Sequence, residues 1–357
     1  MDKSKAREIK AQASDYAREL AERTVRPSEV RAAEPGLVQG PVLALGLAPQ
    51  PDGSYSLAVR YRLGVPSVRS IARKVVEQVG PTADVRRTGR IRTLATTGTA
   101  DGPTGPSTGA PVGGGTGDVV RPRPPVITAR SLGETGRVRP LRPGVSIAHS
   151  AVTAGTLGAF VVVDGAVHAL SNYHVLSGTP KAKVGDVVVQ PGPADGGRAP
   201  RDRVGTLARR VDLVPGETAA VDAAIALLDD PEVDATYPVG RISTTAVAVG
   251  GEIVGKIGRT TAVTQGRVSA IEVDDVVVGY GRLLGELSFD DQIEVEGLGA
   301  EPFSRGGDSG SLVYREDGVA IGLLFAGSET GGDNGAGLTY LNPIDAVLDA
   351  FGATFVR

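Results

Sequence analysis

The first part of the chain switches between helical and strand periods. Residues 2–24 are strong helix formers with Glu, Lys and Arg at helical spacing, and Ile9, Ala13, Tyr16 and Leu20 fall on one stripe. This predicts a helix over 1–26 that packs on something and stops before Pro27. Over 41–63, "PVLALGLA" and "SYSLAVRYRL" alternate around the turn "PQPDG", the pattern of a β-hairpin. "PSVRSIARKVVEQVG" returns to a helical period, with Val68, Ile71, Val75 and Val76 on one face and Gly80 as its stop. "DVRRTGRIRTLA" reads as one more strand. Residues 35–95 therefore predict a small ββαβ α+β unit, near the lower size limit for folding alone.

Apolar periodicity then disappears. "TTGTADGPTGPSTGAPVGGGTGDVVRPRPP" is rich in Gly, Pro and Thr, so 96–135 reads as a flexible linker. Its "PVGGGTGD" lacks the flanking strand and helix of a phosphate loop. From 138 to 357 the pattern changes to short β-branched strands separated by turn residues. "TLGAFVVV" and "AVHALSN" flank Asp164-Gly165, the strongest hairpin signal of the chain. One helical segment, "PIDAVLDAFG", comes near the end. Many evenly spaced short strands with almost no helix predict a mainly β region of antiparallel barrels or a sandwich, with room for two small barrels.

Composition narrows the classes. A chain of 357 residues is long enough for two compact domains and linkers, and 41% hydrophobic with 22% charged residues is ordinary for a globular protein. Aromatic residues make up 4% with no Trp, so the core rests on Val, Ile, Leu and Ala. A net charge of −3 gives no electrostatic case for nucleic acid or an anionic membrane. The absence of cysteine removes disulfides, thiolate metal sites and a cysteine nucleophile. The charged start "MDKSKAREIKAQASDYAREL" has no apolar signal region, and no apolar run reaches bilayer length, so a cytoplasmic location is expected.

The candidate chemistry centres on "EPFSRGGDSGSLVY", where Ser309 stands among small residues before an apolar strand. A serine attacks an acyl carbon only if a base takes its proton and donors meet the oxyanion. The chain has three histidines. His149 enters the β-rich region, His168 lies inside a strand, and His174 in "SNYHVL" sits where the chain leaves the sheet, the best placement for a base. Asp222, alone among small apolar residues in "AAVDAAIALLDD", fits the buried acid that orients such a base. No histidine follows Ser309, which excludes the Ser…Asp…His order of α/β-hydrolases, and Ser311 breaks their G-x-S-x-G elbow. The subtilisin order needs alternating helices and parallel strands. The order His174…Asp222…Ser309 in an all-β region is that of chymotrypsin.

"SNYHVL", "VDAAIALL", "GGDSGSLV", "GVAIGLLFAGS" and "GAGLTYLNPIDAVL" resemble the trypsin-like (chymotrypsin-fold) serine peptidase family over about residues 140–350. The intracellular, disulfide-free branch is the nearest fit. "GTLGAFVVVDGAVHALSNYHVL" and "GKIGRTTAVTQGRVSAI" are also similar to the plant narrow-leaf trypsin-like proteases and their bacterial relatives. The resemblance implies two antiparallel six-stranded β-barrels with a C-terminal helix. It makes His174 the general base, Asp222 its orienting acid, Ser309 the nucleophile, and the N–H groups of Gly307 and Ser309 the oxyanion hole. It places Phe303 at the base of the primary pocket, with Ala326 and Gly327 on one wall and Gly337 opposite. Without an acid there, an apolar or small P1 side chain is expected rather than Arg or Lys. In zymogen-activated relatives the equivalent of Asp308 pairs with a freed N-terminus; here Arg305 or backbone donors are the expected substitutes.

Other signals point nowhere specific. "GGEIVGKI" matches a P-loop up to Lys256, but Ile257 follows where a Ser or Thr is required. "DNGAG", "DDPEVD" and "EVDD" lack the EF-hand register. No cofactor or metal is expected. The leading expectation is a serine endopeptidase acting on protein or peptide substrates, with residues 1–95 regulating it or recruiting a protein partner. The alternatives are a catalytically silent peptide-binding module and a latent protease effector activated by a partner.

Overall fold

The computed structural model of the chain describes residues 1–24, 43–62, 66–80, 82–93, 131–328 and 330–357. Most of the expected linker, 96–130, lies outside them.

The second half is mainly β, in two barrels. In the first, strands Ala159–Val163, Ala166–Ser171, Ala224–Leu228, Arg203–Arg210, Val187–Val189 and Ser146–His149 pair in that order. The last returns to Gly155–Thr156, the leading end of the same bent segment as the first. The predicted hairpin turn at Asp164-Gly165 is present, with Val163 opposite Ala166. In the second barrel the pairings close a ring of six antiparallel strands: Ile253–Gly258, Ala262–Asp274, Gln292–Gly297, Leu338–Pro343, Val319–Ser328 and Leu312–Arg315. A helix, Ile344–Asp349, leads the chain back to the first barrel, where Thr354–Phe355 pairs with Val161 and Val162. One apolar cluster, including Val161, Leu170 and Ile225 of the first barrel and Leu312, Leu323 and Val347 beyond, seals the seam between them. Each such fully buried aliphatic side chain contributes about 1.5–3 kcal/mol.

The N-terminal module is built into this body. It consists of α1 (Lys3–Thr24), β1 (Leu43–Pro49), β2 (Tyr55–Arg62), α2 (Pro66–Val79), β3 (Asp84–Thr88) and β4 (Ile91–Thr93). β1 and β2 form the expected hairpin, and α2 makes the crossover that lets β3 join β2 in parallel. The buried face of α1 is Ala6, Ala13, Ala17, Leu20 and Ala21, whereas Ile9 and Tyr16 are only half-buried. Small residues let this helix lie close on β1, β2 and α2. β1 then pairs with the far end of the long second-barrel strand Ala262–Asp274, Leu45 opposite Asp274 and Leu47 opposite Ile271. The module and the second barrel therefore share one continuous sheet.

The segment read as one strand, "DVRRTGRIRTLA", is two. The chain breaks at Gly89-Arg90, and Gly89 N–H donates to Thr330 O (3.3 Å). β4 leaves β3 and pairs antiparallel with Val319–Ser328: Thr93 faces Ala326, Arg92 faces Gly327, and Ile91 faces Ser328. Its other edge meets the parallel strand Val276–Gly279 at Gly279. Among the described residues no helix is long and apolar enough to cross a membrane.

Ion pairs hold α1 to the barrel. Glu272 accepts from Arg7 (2.7 and 2.8 Å) and lies 2.9 Å from Lys3 Nζ. Arg7 first, and then Lys3, hold its carboxyl down to about 2 from the ordinary 4.5, against the opposing effect of burial. A depressed carboxyl pKa stabilises the fold above its unfolded value, and that contribution is lost as pH falls toward the folded value. Acid is therefore expected to loosen α1 between pH 4.5 and about 2. Limited proteolysis within residues 3–24 across that range checks this, and Glu272→Gln should remove most of the pH dependence.

Candidate active site

The predicted catalytic residues come from three separate elements. His174 sits in the single turn Tyr173–Leu176 that ends the first-barrel strand Ala166–Ser171. Asp222 precedes the strand Ala224–Leu228, and Ser309 lies in the loop before the second-barrel strand Leu312–Arg315. The two barrels meet tightly here. A Cβ on Gly310 would stand 2.1 Å from Ser171 Oγ and 2.3 Å from Thr156 O, so only glycine fits beside Ser309.

His174 and Asp222 are joined directly: Nδ1 of the imidazole bonds Asp222 Oδ2. An ionised carboxylate only accepts, so this bond puts the proton on Nδ1 and leaves the Nε2 lone pair open. Nε2 is buried and has no partner among the described residues. The backbone of Asp222 is pinned by two asparagines. Asn172 Nδ2 donates to its carbonyl (2.8 Å), and its N–H donates to Asn342 Oδ1 (2.9 Å). Gln292 orients Asn342 in turn, accepting from its Nδ2 (2.7 Å). A further donor comes from Tyr280, whose hydroxyl meets Asp222 Oδ2 at 2.5 Å.

Ser309 Oγ is not bonded to the imidazole. It donates instead to Phe325 O at 3.4 Å. Hydrogen bonds between a nucleophile and its base commonly tighten only when substrate is present. Ser309 is 0% and His174 6% exposed, so both side chains lie below the surface.

The loop behind Ser309 is set by its own donors and acceptors. Gly306 O accepts from Thr260 Oγ1 (2.7 Å), and Asp308 O accepts from Ser311 N–H (3.0 Å) and Ser311 Oγ (2.7 Å). In a trans peptide the N–H points opposite to the C=O, so the N–H groups of Gly307 and Ser309 turn away from these partners. Neither has an acceptor among the described residues. Gly307 adopts φ +99°, and a Cβ there would stand 2.3 Å from Thr260 Oγ1. The position accepts no other residue without strain.

Asp308 is buried and fully engaged. Its carboxylate accepts the N–H groups of Thr260 (2.9 Å), Thr261 (3.1 Å) and Arg305 (2.9 Å), and the Thr261 hydroxyl (2.7 Å). Of the partners expected for Asp308, backbone donors hold it, and the Arg305 guanidinium lies instead 3.6 Å from Glu301. The charge partner is Lys256, the lysine of the P-loop-like stretch, whose Nζ is 3.6 Å from Asp308 Oδ2. Burial pushes this ammonium below its ordinary value, and Asp308 opposes that shift.

Phe303 is 1% exposed and packs in the interior of the second barrel with Val268, Val295 and Leu324, Lys256 Nζ lying 5.9 Å from its ring centroid. The ring is part of the apolar core of that barrel. Ala326 and Gly327 lie on Val319–Ser328, paired on one side with Tyr340 and Thr339 and on the other with β4. Gly337, at φ +107°, donates to Gly331 O (3.0 Å) in the loop that returns to Leu338–Pro343. His149 and His168 stand apart from the site: His149 Nε2 is 3.2 Å from Asp186 Oδ2, and His168 Nδ1 is 3.0 Å from Ala166 O.

The sequence reading did not single out Asn172, Asn342 or Tyr280. The two asparagines lie inside quoted motifs, "SNYHVL" and "LNP", and a polar amide in an apolar run was the available signal. Tyr280, in the turn "GYGRLLG", carried none. Among the described residues no cluster of three metal-binding side chains occurs.

No protein-family profile matches the chain, and no curated protein matches it. Among solved structures the chain is similar to a glutamic-acid-specific serine protease, at 24% identity and TM-score 0.44 over 60% of this chain and 100% of that one. It is also similar to Protease A of Thermobifida fusca (19% identity, TM-score 0.42, 61% of this chain and 98% of that one). The Nocardiopsis protease NAPase stands at 19% identity and TM-score 0.43, over 61% of this chain and 99% of that one.

Proposed function

We propose that the chain is a serine endopeptidase of the trypsin-like kind, nearest its disulfide-free branch and acting in the cytoplasm, as the absence of cysteine favours. The observation that carries this reading is the buried His174–Asp222 pair with an unpartnered Nε2, in the same seam as Ser309. In this reading Ser309 Oγ attacks the acyl carbon and passes its proton to Nε2. Asp222 stabilises the imidazolium, and the N–H groups of Gly307 and Ser309 receive the oxyanion. Nε2 then returns the proton to the leaving amine, and water repeats the sequence on the acyl-enzyme. A fluorophosphonate probe is expected to label Ser309 and to leave Ser309→Ala unlabelled. Folded protein that never labels, under any condition tried, would instead be a silent peptide-binding module.

A second observation favours a latent form. Extended peptides bind proteins by adding a strand to an open sheet edge. The edge nearest the nucleophile begins at Phe325, whose carbonyl faces Ser309, and β4 already covers its next three residues. The N-terminal module thus regulates by holding its own strand where a substrate strand would lie, and a partner that draws the module away opens the site. Arg92→Pro, which removes a ladder donor at the centre of β4, should speed labelling of Ser309. Unchanged or slower labelling would remove the latent reading.

A further inference from the structure

We infer that Tyr280 is a positioning residue of the proposed catalytic centre: its hydroxyl fixes the Asp222 carboxylate so that Oδ2 faces His174 Nδ1. The inference rests on the serine-peptidase reading. Asp222 is 0% exposed, and a buried carboxylate is tolerable only if donors surround it. Two side-chain donors converge on Oδ2, Tyr280 Oη at 2.5 Å and His174 Nδ1, while among the described residues Oδ1 receives only the His174 N–H at 3.4 Å. The phenol therefore decides which oxygen faces the imidazole and at what angle. Phe325, the residue facing Ser309 Oγ, has no hydroxyl to offer. Tyr173, beside His174, keeps its ring 5.5 Å from the Arg210 guanidinium and gives Asp222 no bond among the described residues.

Tyr280 is itself held firmly. It follows the strand Val276–Gly279, which pairs with Glu286–Phe289, and its N–H donates to Gly285 O at 2.7 Å. Its ring meets His174 edge-on, with centroids 6.0 Å apart, and stacks on Phe289 at 5.9 Å. Phe289 packs in turn on Phe325 at 4.8 Å. One aromatic row thus runs from the base, past the acid, to the residue whose carbonyl faces the nucleophile. Burial, and then the neighbouring carboxylate, push the phenol well above its ordinary value, so the oxygen keeps its proton and acts as donor.

The test uses the full-length chain labelled with ¹⁵N-histidine. With three histidines in the sequence, the low-field Nδ1–H resonance of His174 is readily assigned. Tyr280→Phe keeps the ring but leaves Oδ2 with one side-chain donor. The remaining bond to Nδ1–H tightens, and the resonance should move further downfield. Replacing Tyr280 by 3-fluorotyrosine, a stronger donor in the same shape, should move it upfield. Toward a peptide ester, in whichever background the parent labels, Tyr280→Phe should lower kcat by about 10- to 100-fold and leave KM unchanged, as loss of a hydrogen bond to a charged group implies. A resonance unmoved in both variants, or a kcat unchanged in a parent that turns over, overturns the inference. Opposite shifts in a chain that never reacts with fluorophosphonate would sustain the positioning of Asp222 and defeat the peptidase reading alone.

Discussion

Asp222→Asn is expected to fold as the parent does and to turn substrate over about 10⁴-fold more slowly. The fold should survive because the backbone of residue 222 is fixed by Asn172 and Asn342, neither of which touches the carboxylate. The chemistry should not. Oδ2 accepts from both Tyr280 and His174, and an asparagine amide has one oxygen to offer. With its oxygen in the place of Oδ2 the neutral amide cannot stabilise an imidazolium; with its nitrogen there it faces Nδ1 and forces the imidazole into the other tautomer. Nε2 then carries the proton and cannot take one from Ser309. Steady-state rates corrected for active sites by probe titration, alongside thermal melts, provide the measurement. A loss below about tenfold would remove Asp222 from the role of orienting acid.

Breaking the buried ion pair between the module and the second barrel should have the largest effect on stability. Arg60 of β2 is 1% and Glu294 0% exposed, and they meet twice, at 2.7 and 2.8 Å. Asp84 takes a third bond from Arg60 (2.8 Å), while Ser269 (2.8 Å) and Tyr340 (3.2 Å) donate to Glu294. Burial opposes both charges, yet Glu294 keeps Arg60 above its ordinary value and Arg60 keeps Glu294 below its own. Glu294→Ala leaves the buried guanidinium with Asp84 as its one carboxylate partner among the described residues and should cost about 3–5 kcal/mol in urea denaturation. The double change Arg60→Leu with Glu294→Leu should recover most of that loss, since Asp84 retains Arg86 at 3.1 Å. A cost for Glu294→Ala below about 1 kcal/mol would mean that the pair behaves as a surface bridge.

What the sequence made legible was whatever is encoded locally or by exclusion. The helical faces of 3–24 and 66–79, the turn at Asp164-Gly165 and the short strands after 138 follow from periodicity and turn chemistry. His174, Asp222 and Ser309 could be singled out because three histidines leave few choices. The failures share a non-local cause. β4 has no strand signal of its own beyond "IRT", and distant partners, the edge at 326–328 and Gly279, draw it away from β3. The union of β1 with Ala262–Asp274 depends on that strand running 13 residues, past the barrel it serves. The packing of Phe303 with Val268, Val295 and Leu324 joins strands far apart in the chain, and its place six residues before Ser309 carries no sign of it. Tyr280 reaches Asp222 across 58 residues, in a turn whose glycines reveal nothing about its neighbour.

Lys256 and the Thr260–Thr261 amides saturate Asp308 from within its own barrel. The loop that carries Gly307 and Ser309 therefore takes its shape as the barrel folds, with no newly cut terminus required to complete it. Under the proposed function, control then falls on access rather than on assembly. Such a switch leaves no covalent memory: each molecule that opens can close again, and the active fraction tracks the opening equilibrium from moment to moment.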